Sequence, residues 1–174
     1  MKKKDQLTLW IAQGFGLGRI PVAPGTFGSL LGLPIWCLLI GFGHPLVFWG
    51  GLLVGFALSV VISGKAEEIL KLHDPGSVVI DEYMALPFCY AGWHVVTWTA
   101  TRHWPGWEML TEFKSWMIVV LGFGLFRLFD ALKPWPISLC QNFVGGWGVT
   151  LDDYAAALAV NVVLMLVTGF FIPG

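Results

Sequence analysis

Apolar residues in this chain form long uninterrupted runs, and four short polar islands separate them. Between Arg19 and Lys65 stand 45 residues without Lys, Arg, Asp or Glu. A second charge-free run covers Tyr83–Thr101, and a third begins at Tyr154 and continues for 21 residues. A membrane-spanning helix needs about 20 apolar residues, within a range of about 17–25. The first run therefore holds two helices, near Phe27–Phe42 and Leu46–Ser63, with Gly43-His44-Pro45 as the turn between them. Tyr83–Thr101 and Tyr154–Ile172 supply two more. Ser115–Phe126 is only 12 residues long and reads as a short span, a re-entrant piece or a core helix. The runs predict an all-α, single-domain helical bundle with about four to five transmembrane or membrane-embedded helices.

Composition sharpens that reading. Charged residues make up only 12% and hydrophobic residues 56%, where an ordinary soluble domain carries about 25% charge. This excludes a disordered chain, a coiled coil and a nucleic-acid binder, which needs clustered Lys and Arg. The bilayer is the expected partner, and one domain over residues 1–174 is the natural count. Cys37, Cys89 and Cys140 form no CxxC pair, so neither a zinc site nor a disulfide framework is indicated. No internal repeat points to an inverted-repeat transporter. Gly51-Leu52-Leu53-Val54-Gly55 permits close helix approach within one chain or between two, so a homo-oligomer stays open.

Met1-Lys2-Lys3-Lys4 resembles the start of a signal peptide, but Asp5, Gln6 and Gln13 interrupt the apolar stretch that should follow. These lysines are expected to hold the N-terminus in the cytoplasm. Threading from there places Arg19, Lys65, Lys71, Arg127 and Lys133 inside, with Arg102 and Lys114 outside. Asp81, Glu82, Asp130, Asp152 and Asp153 then share one membrane face with Arg19, Arg127 and Lys133.

The islands carry the candidate chemistry. In Gly14–Ser29, Pro21 and Pro24 break the helix and the glycines permit close backbone approach. Thr26 is expected to cap the following helix, and the island reads either as an anion site, made by its free N–H groups with Arg19 nearby, or as a structural bend before the first span. In Lys65–Glu82, Glu67, Glu68 and Lys71 read as a solvated helical face, Asp74-Pro75-Gly76 as a turn. Asp81-Glu82 is bounded by apolar residues on both sides, where carboxylates are costly unless paired or metal-bound. The third island places Arg127, Asp130 and Lys133 on one helical face ending at Pro134. In the fourth, Thr150 or Asp152 suits a helix N-terminus, which leaves the second acid of the adjacent pair Asp152-Asp153 unexplained without a cation.

Carboxylates without Cys suit a hard cation such as Mg²⁺, held by one or two carboxylates, waters and a substrate phosphate. With Arg and Lys added, the parts match phosphoryl chemistry. A Cys nucleophile with Arg six residues on would need Arg where Gly43, Val95 and Gly146 stand. Neither an Asp-x-Asp pair nor a Pro-Ser-Gly-His element occurs. Metal-dependent hydrolysis by water survives.

At this point the chain resembles the bacterial phosphatidylglycerophosphatase A family, in four ordered motifs from about Gly14 to Ala157. They are Gly18-Arg19-x-Pro21-x-Ala23-Pro24-Gly25-Thr26-x-Gly28-Ser29; His73-Asp74 followed by Asp81-Glu82; Phe126-Arg127-x-x-Asp130-x-x-Lys133-Pro134-x-Pro136-Ile137; and Gly145-Gly146-x-Gly148-x-x-x-Asp152-Asp153. The resemblance implies an all-helical, Mg²⁺-dependent phosphatase of the inner membrane that converts phosphatidylglycerophosphate to phosphatidylglycerol, its active site at the cytoplasmic face. It implies Asp81, Glu82, Asp130, Asp152 and Asp153 as metal ligands or water activators, and Arg19, Thr26, Ser29, Arg127 and Lys133 as phosphate holders. Two positions depart from the family's usual glycines: Ala85, after the Asp-Glu pair, and Ala157, after the Asp-Asp pair. The rival readings are a phosphatase for another phospholipid or small phosphate ester, and a non-catalytic transporter or scaffold subunit.

Overall fold

The computed structural model describes residues 2–171, so Ile172, expected to close the final span, lies outside the described residues. Among the described residues the chain forms eight α-helices joined by short 3₁₀ turns, and no strand. Helix α1 covers Lys3–Ala12, α2 Pro24–Leu30, α3 Gly32–Gly41, α4 Pro45–Leu70, α5 Ile80–Ala85, α6 Ala91–Thr101, α7 Phe113–Leu132 and α8 Gly146–Phe171.

Proline starts two of these helices. Pro24 and Pro45 occupy first-turn positions, where a missing N–H costs nothing and φ is already helical. Because α2 begins at Pro24, Thr26 lies inside its first turn and does not cap it. Only Leu31 separates α2 from α3, so the pair makes one apolar rod of 18 residues, Pro24–Gly41. In α4 the turn at His44 closes as expected, with Nδ1 accepting from the Leu46 amide at 3.2 Å.

Four helical segments are long and apolar enough to cross a membrane: Pro24–Gly41, Pro45–Leu70, Phe113–Leu132 and Gly146–Phe170. Their number agrees with the expectation, but their identities differ. Ser115–Phe126, too short by charge counting, is the middle of the 20-residue α7. The charges at its ends, Lys114 and Arg127, are helical residues. Tyr83–Thr101 is instead divided into α5, a 3₁₀ turn over Leu86–Tyr90, and α6.

Pro87 at the 3₁₀ turn removes one donor and breaks the helix. A break inside an apolar bundle requires that side chains satisfy the freed backbone groups. Asn161 of α8 does so on both sides: Oδ1 accepts from Gly92 N at 2.8 Å, and Nδ2 donates to Phe88 O at 3.0 Å. Tyr154 Oη donates to Met84 O at 3.0 Å, and Tyr90 Oη donates to Val119 O at 3.0 Å. These bonds tie the broken segment to α7 and α8.

The core gathers around Trp36, Phe48, Leu86, Tyr90, Phe126 and Leu164, all buried. Leu53, Val54 and Val61 of α4, Met117 and Val120 of α7, and Val162 and Leu166 of α8 face outward, as lipid-facing positions should. Gly51 abuts Leu39 of α3, and Gly55 faces Met84 and Tyr154, so the small-residue motif of α4 serves packing within the chain. One end of the bundle is aromatic, with Phe48, Trp98 and Trp104 in contact. The polar islands meet at the other.

Candidate active site

The acidic end is built on a buried plug. Val78, Val79 and Ile80 are at most 6% exposed, and Val79 N donates to Ala12 O at 2.9 Å. A methyl group on Gly28 would strike the Val79 side chain. This close packing pins the first turn of α5 and turns Asp81 and Glu82 inward. Asp81 is 4% exposed and its Oδ1 accepts from the Glu82 amide at 3.1 Å. Glu82 Oε2 accepts from Ser29 Oγ at 2.9 Å and pairs with Arg127 Nη1 at 3.0 Å. Gly25 makes room for this group: a Cβ there would collide with Glu82 Oε1 and lie 2.8 Å from Arg127 Nη2.

The last turn of α7 supplies the counter-charges. Arg127 Nη1 lies 2.8 Å from Asp130 Oδ2, and Lys133 Nζ lies 3.9 Å from Asp130 Oδ1. Lys133, in the left-handed conformation that closes α7, also pairs with Asp152 of α8. Helix α8 is registered against α4 by the buried contact of Ser59 Oγ with Thr150 Oγ1 at 3.0 Å. Thr150 and Asp152 thus lie inside α8, which starts at Gly146, and neither caps it. Asp153 is 3% exposed and has no hydrogen-bond or ion-pair partner for its carboxylate among the described residues.

These groups surround a cavity of about 310 Å³ lined by Asp74, Asp81, Glu82, Asp130, Lys133, Asp152 and Asp153. Burial, opposed by Arg127 and reinforced by Asp130, pushes the Glu82 carboxyl up to about 7. Burial and the neighbouring Glu82 charge hold Asp81 well above the usual carboxylate range. Burial alone would lower Lys133, but the bond to Asp152 and the charges of Asp152, Asp153 and Asp130 raise it instead. The cavity is therefore short of positive charge.

The five acids singled out in the sequence meet there with Lys133, while Arg127 and Ser29 lie behind Glu82. Arg19 and Thr26 do not line the cavity. Arg19 is exposed, its Nε donating to Gln13 Oε1 at 2.7 Å, and Gln13 Nε2 donates to Ser77 Oγ at 3.1 Å. Thr26 is half-buried within α2. Asp74, read as a turn former, is a sixth acid at the cavity; the adjoining His73 in the second motif was the available signal. Glu67, read as solvated, is only 11% exposed.

The donor set suits a hard divalent cation. Asp153 is a buried residue whose carboxylate has no partner among the described residues, and the two basic side chains at hand already pair with Glu82, Asp130 and Asp152. Among the described residues no group of three or more His, Cys, Asp or Glu is arranged to hold a metal ion. Mg²⁺ does not require one, because it keeps several waters and takes one or two carboxylates plus substrate oxygens.

Residues 10–168 match the family described as Phosphatidylglycerophosphatase A. The chain belongs to the phosphatidylglycerophosphatase A family. It is 31% identical to the Escherichia coli phosphatidylglycerophosphatase A over 149 residues, 85% of this chain and 76% of that one. The Haemophilus influenzae phosphatidylglycerophosphatase A is 30% identical over 158 residues, 90% of this chain and 86% of that one. A putative phosphatidylinositol-3-phosphatase of Bacteroides thetaiotaomicron is 32% identical over 162 residues, covering 91% of each. No solved structure matches the chain. As a phosphatidylglycerophosphatase A family member the protein is a phosphatase, and every residue around the cavity falls within the matched stretch.

Proposed function

We propose that the protein hydrolyses the terminal phosphate monoester of phosphatidylglycerophosphate, giving phosphatidylglycerol and inorganic phosphate, with Mg²⁺ held by acids drawn from Asp81, Glu82, Asp130, Asp152 and Asp153. The observation that carries this reading is the cavity itself. Six carboxylates, one of them buried without a partner among the described residues, converge with Lys133 at one end of four span-length apolar helices. When bound, the cation supplies charge for the developing negative oxygens and acidifies a coordinated water. The protein's own groups do the rest. Lys133 neutralises phosphate oxygens at the cavity wall. Arg127, held by Ser29, Glu82 and Asp130, would offer its guanidinium to a second set. A carboxylate raised toward neutrality, as Glu82 is, suits proton transfer from water.

The lipid reaches this cavity sideways. Leu128, Leu132 and Trp135 are 48%, 68% and 78% exposed beside Asp130 and Lys133, an apolar ramp continuous with the lipid-facing side of α7. Lys2, Lys3 and Lys4 stand at the start of α1, and Lys65 and Lys71 in the last turns and at the C-cap of α4, which favours a bacterial cytoplasmic membrane with the site on the cytoplasmic side. Exposed Arg19 would meet the outer part of the headgroup.

A second reading keeps the chemistry and changes the lipid. The name of the Bacteroides relative favours a different phosphomonoester lipid. Phosphate release is measured in detergent from phosphatidylglycerophosphate, phosphatidic acid and phosphatidylinositol 3-phosphate, each with Mg²⁺ or excess EDTA. Mg²⁺-dependent release confined to the first lipid is the expected result. Equal release from all three discards the specificity, and release undiminished by EDTA discards the metal.

A further inference from the structure

We propose that Glu67 is a positioning residue, and that it acts by holding Asp74 at the rim where two cavities join, so that Asp74 works as a sixth acid of the reaction site. The proposal rests on the phosphatase reading of that site. A single oxygen of Glu67 carries it. Oε1 accepts from the Asp74 backbone N–H at 2.7 Å and from His73 Nδ1 at 2.9 Å. A carboxylate only accepts, so His73 Nδ1 is the donor. Glu67 projects from the last turns of α4, one turn before the helix ends at Leu70, and its side chain is 11% exposed.

The segment it grips is held in an unusual shape. Asp74 has φ +45° and Lys71, three residues earlier, has φ +54°. Left-handed backbone at non-glycine residues is uncommon and requires support from its surroundings. The two bonds to Glu67 on one side, and Val78 N to Pro75 O at 2.8 Å on the other, supply it. The result places Asp74 in the wall of the main cavity and of a neighbouring one of about 240 Å³, which share Asp74, Val149 and Asp152. Asp153, buried and unpartnered, faces the main cavity beside them. Lengthening the acidic wall by one carboxylate at this junction joins the reacting end of the headgroup to the space that receives its remainder.

The test compares Glu67→Leu, Glu67→Asp, Glu67→Gln and Asp74→Asn in the full chain in detergent. Readouts are phosphate release from phosphatidylglycerophosphate, the Mg²⁺ concentration for half-activation, and thermal unfolding. Glu67→Gln keeps an acceptor oxygen at full reach and should stay within about 3-fold of wild type. Removing a supporting hydrogen bond of this kind costs about 10–100-fold, so Glu67→Leu and Asp74→Asn should each lose that much in kcat/KM and raise the Mg²⁺ requirement. Combining them should cost no more than Asp74→Asn alone, because Glu67 acts only through Asp74. Glu67→Asp falls one methylene short, keeps the charge, and serves where Glu67→Leu does not fold. Additive losses, or a lower melting temperature with unchanged kcat/KM and Mg²⁺ requirement, would overturn the proposal. An inactive wild type overturns the phosphatidylglycerophosphate reading instead.

Discussion

Arg127 Nη1 lies 3.0 Å from Glu82 Oε2, and this contact joins α7 to α5 at the centre of the acidic site. The same nitrogen sits 2.8 Å from Asp130 Oδ2 and donates to Ser29 Oγ at 3.1 Å. One guanidinium thus fixes three helices relative to one another. It also means that the cation best suited to phosphate is held by carboxylates until they find another positive partner.

Asp130 links that arginine to Lys133, so its charge and not its volume should matter. Asp130→Asn keeps the shape and an acceptor for Arg127. Phosphate release is expected to fall by at least about 100-fold with the melting temperature nearly unchanged. Wild-type turnover in that variant would remove Asp130 from the reaction.

Gly25 separates space from chemistry. A Cβ at this position would displace Glu82 and Arg127, whereas a Cβ at Gly50 of α4 meets nothing within 4 Å. Gly25→Ala should therefore abolish most activity, and Gly50→Ala should leave activity and stability as they are. Equal behaviour of the two variants would contradict the packing described for α2.

Asn161 serves the fold alone. Replacing it with Leu takes the side-chain acceptor from Gly92 N–H and leaves Phe88 C=O with only the Ala91 N–H as donor inside the bundle. The expected loss is about 1–3 kcal/mol, read as a lower melting temperature, with kcat and KM little changed in protein that remains folded. An unchanged melting temperature would show that the break between α5 and α6 is satisfied in another way.

The raised carboxyls set a pH dependence with a definite sign. Glu82 rises from an ordinary 4.5 to about 7 through burial, and Asp81 is raised above its ordinary 3.8 for the same cause. The folded state then binds more protons than the unfolded state between these values. The Glu82 contribution is full below about pH 4.5 and is lost as the pH rises through 7, and Asp81 acts in the same direction. In EDTA the melting temperature should fall from pH 5 to pH 8, and Mg²⁺ should restore it most at pH 8, where the ligands are ionised. A melting temperature that rises over this range in EDTA would contradict the burial of the two acids.

Charge spacing in the sequence alone was enough to determine a helical membrane protein, because a bilayer imposes a length and an apolar content that 45 uncharged residues cannot hide. It also determined that Asp81, Glu82, Asp130, Asp152 and Asp153 share one end, since alternating passes return successive islands to the same face. Helix limits were less legible. Charged residues at the tips of α7 hid its full length, and Pro87 split an apparent span whose repair by Asn161 lies 74 residues further on. Only the tertiary structure decided which polar residues touch. It bonded exposed Arg19 to Gln13, set Thr26 within a helix, put Asp74 in the cavity wall and bonded its backbone to Glu67. The physical reason is range: hydrophobic length is a property of a segment, whereas a hydrogen bond depends on where two segments end up.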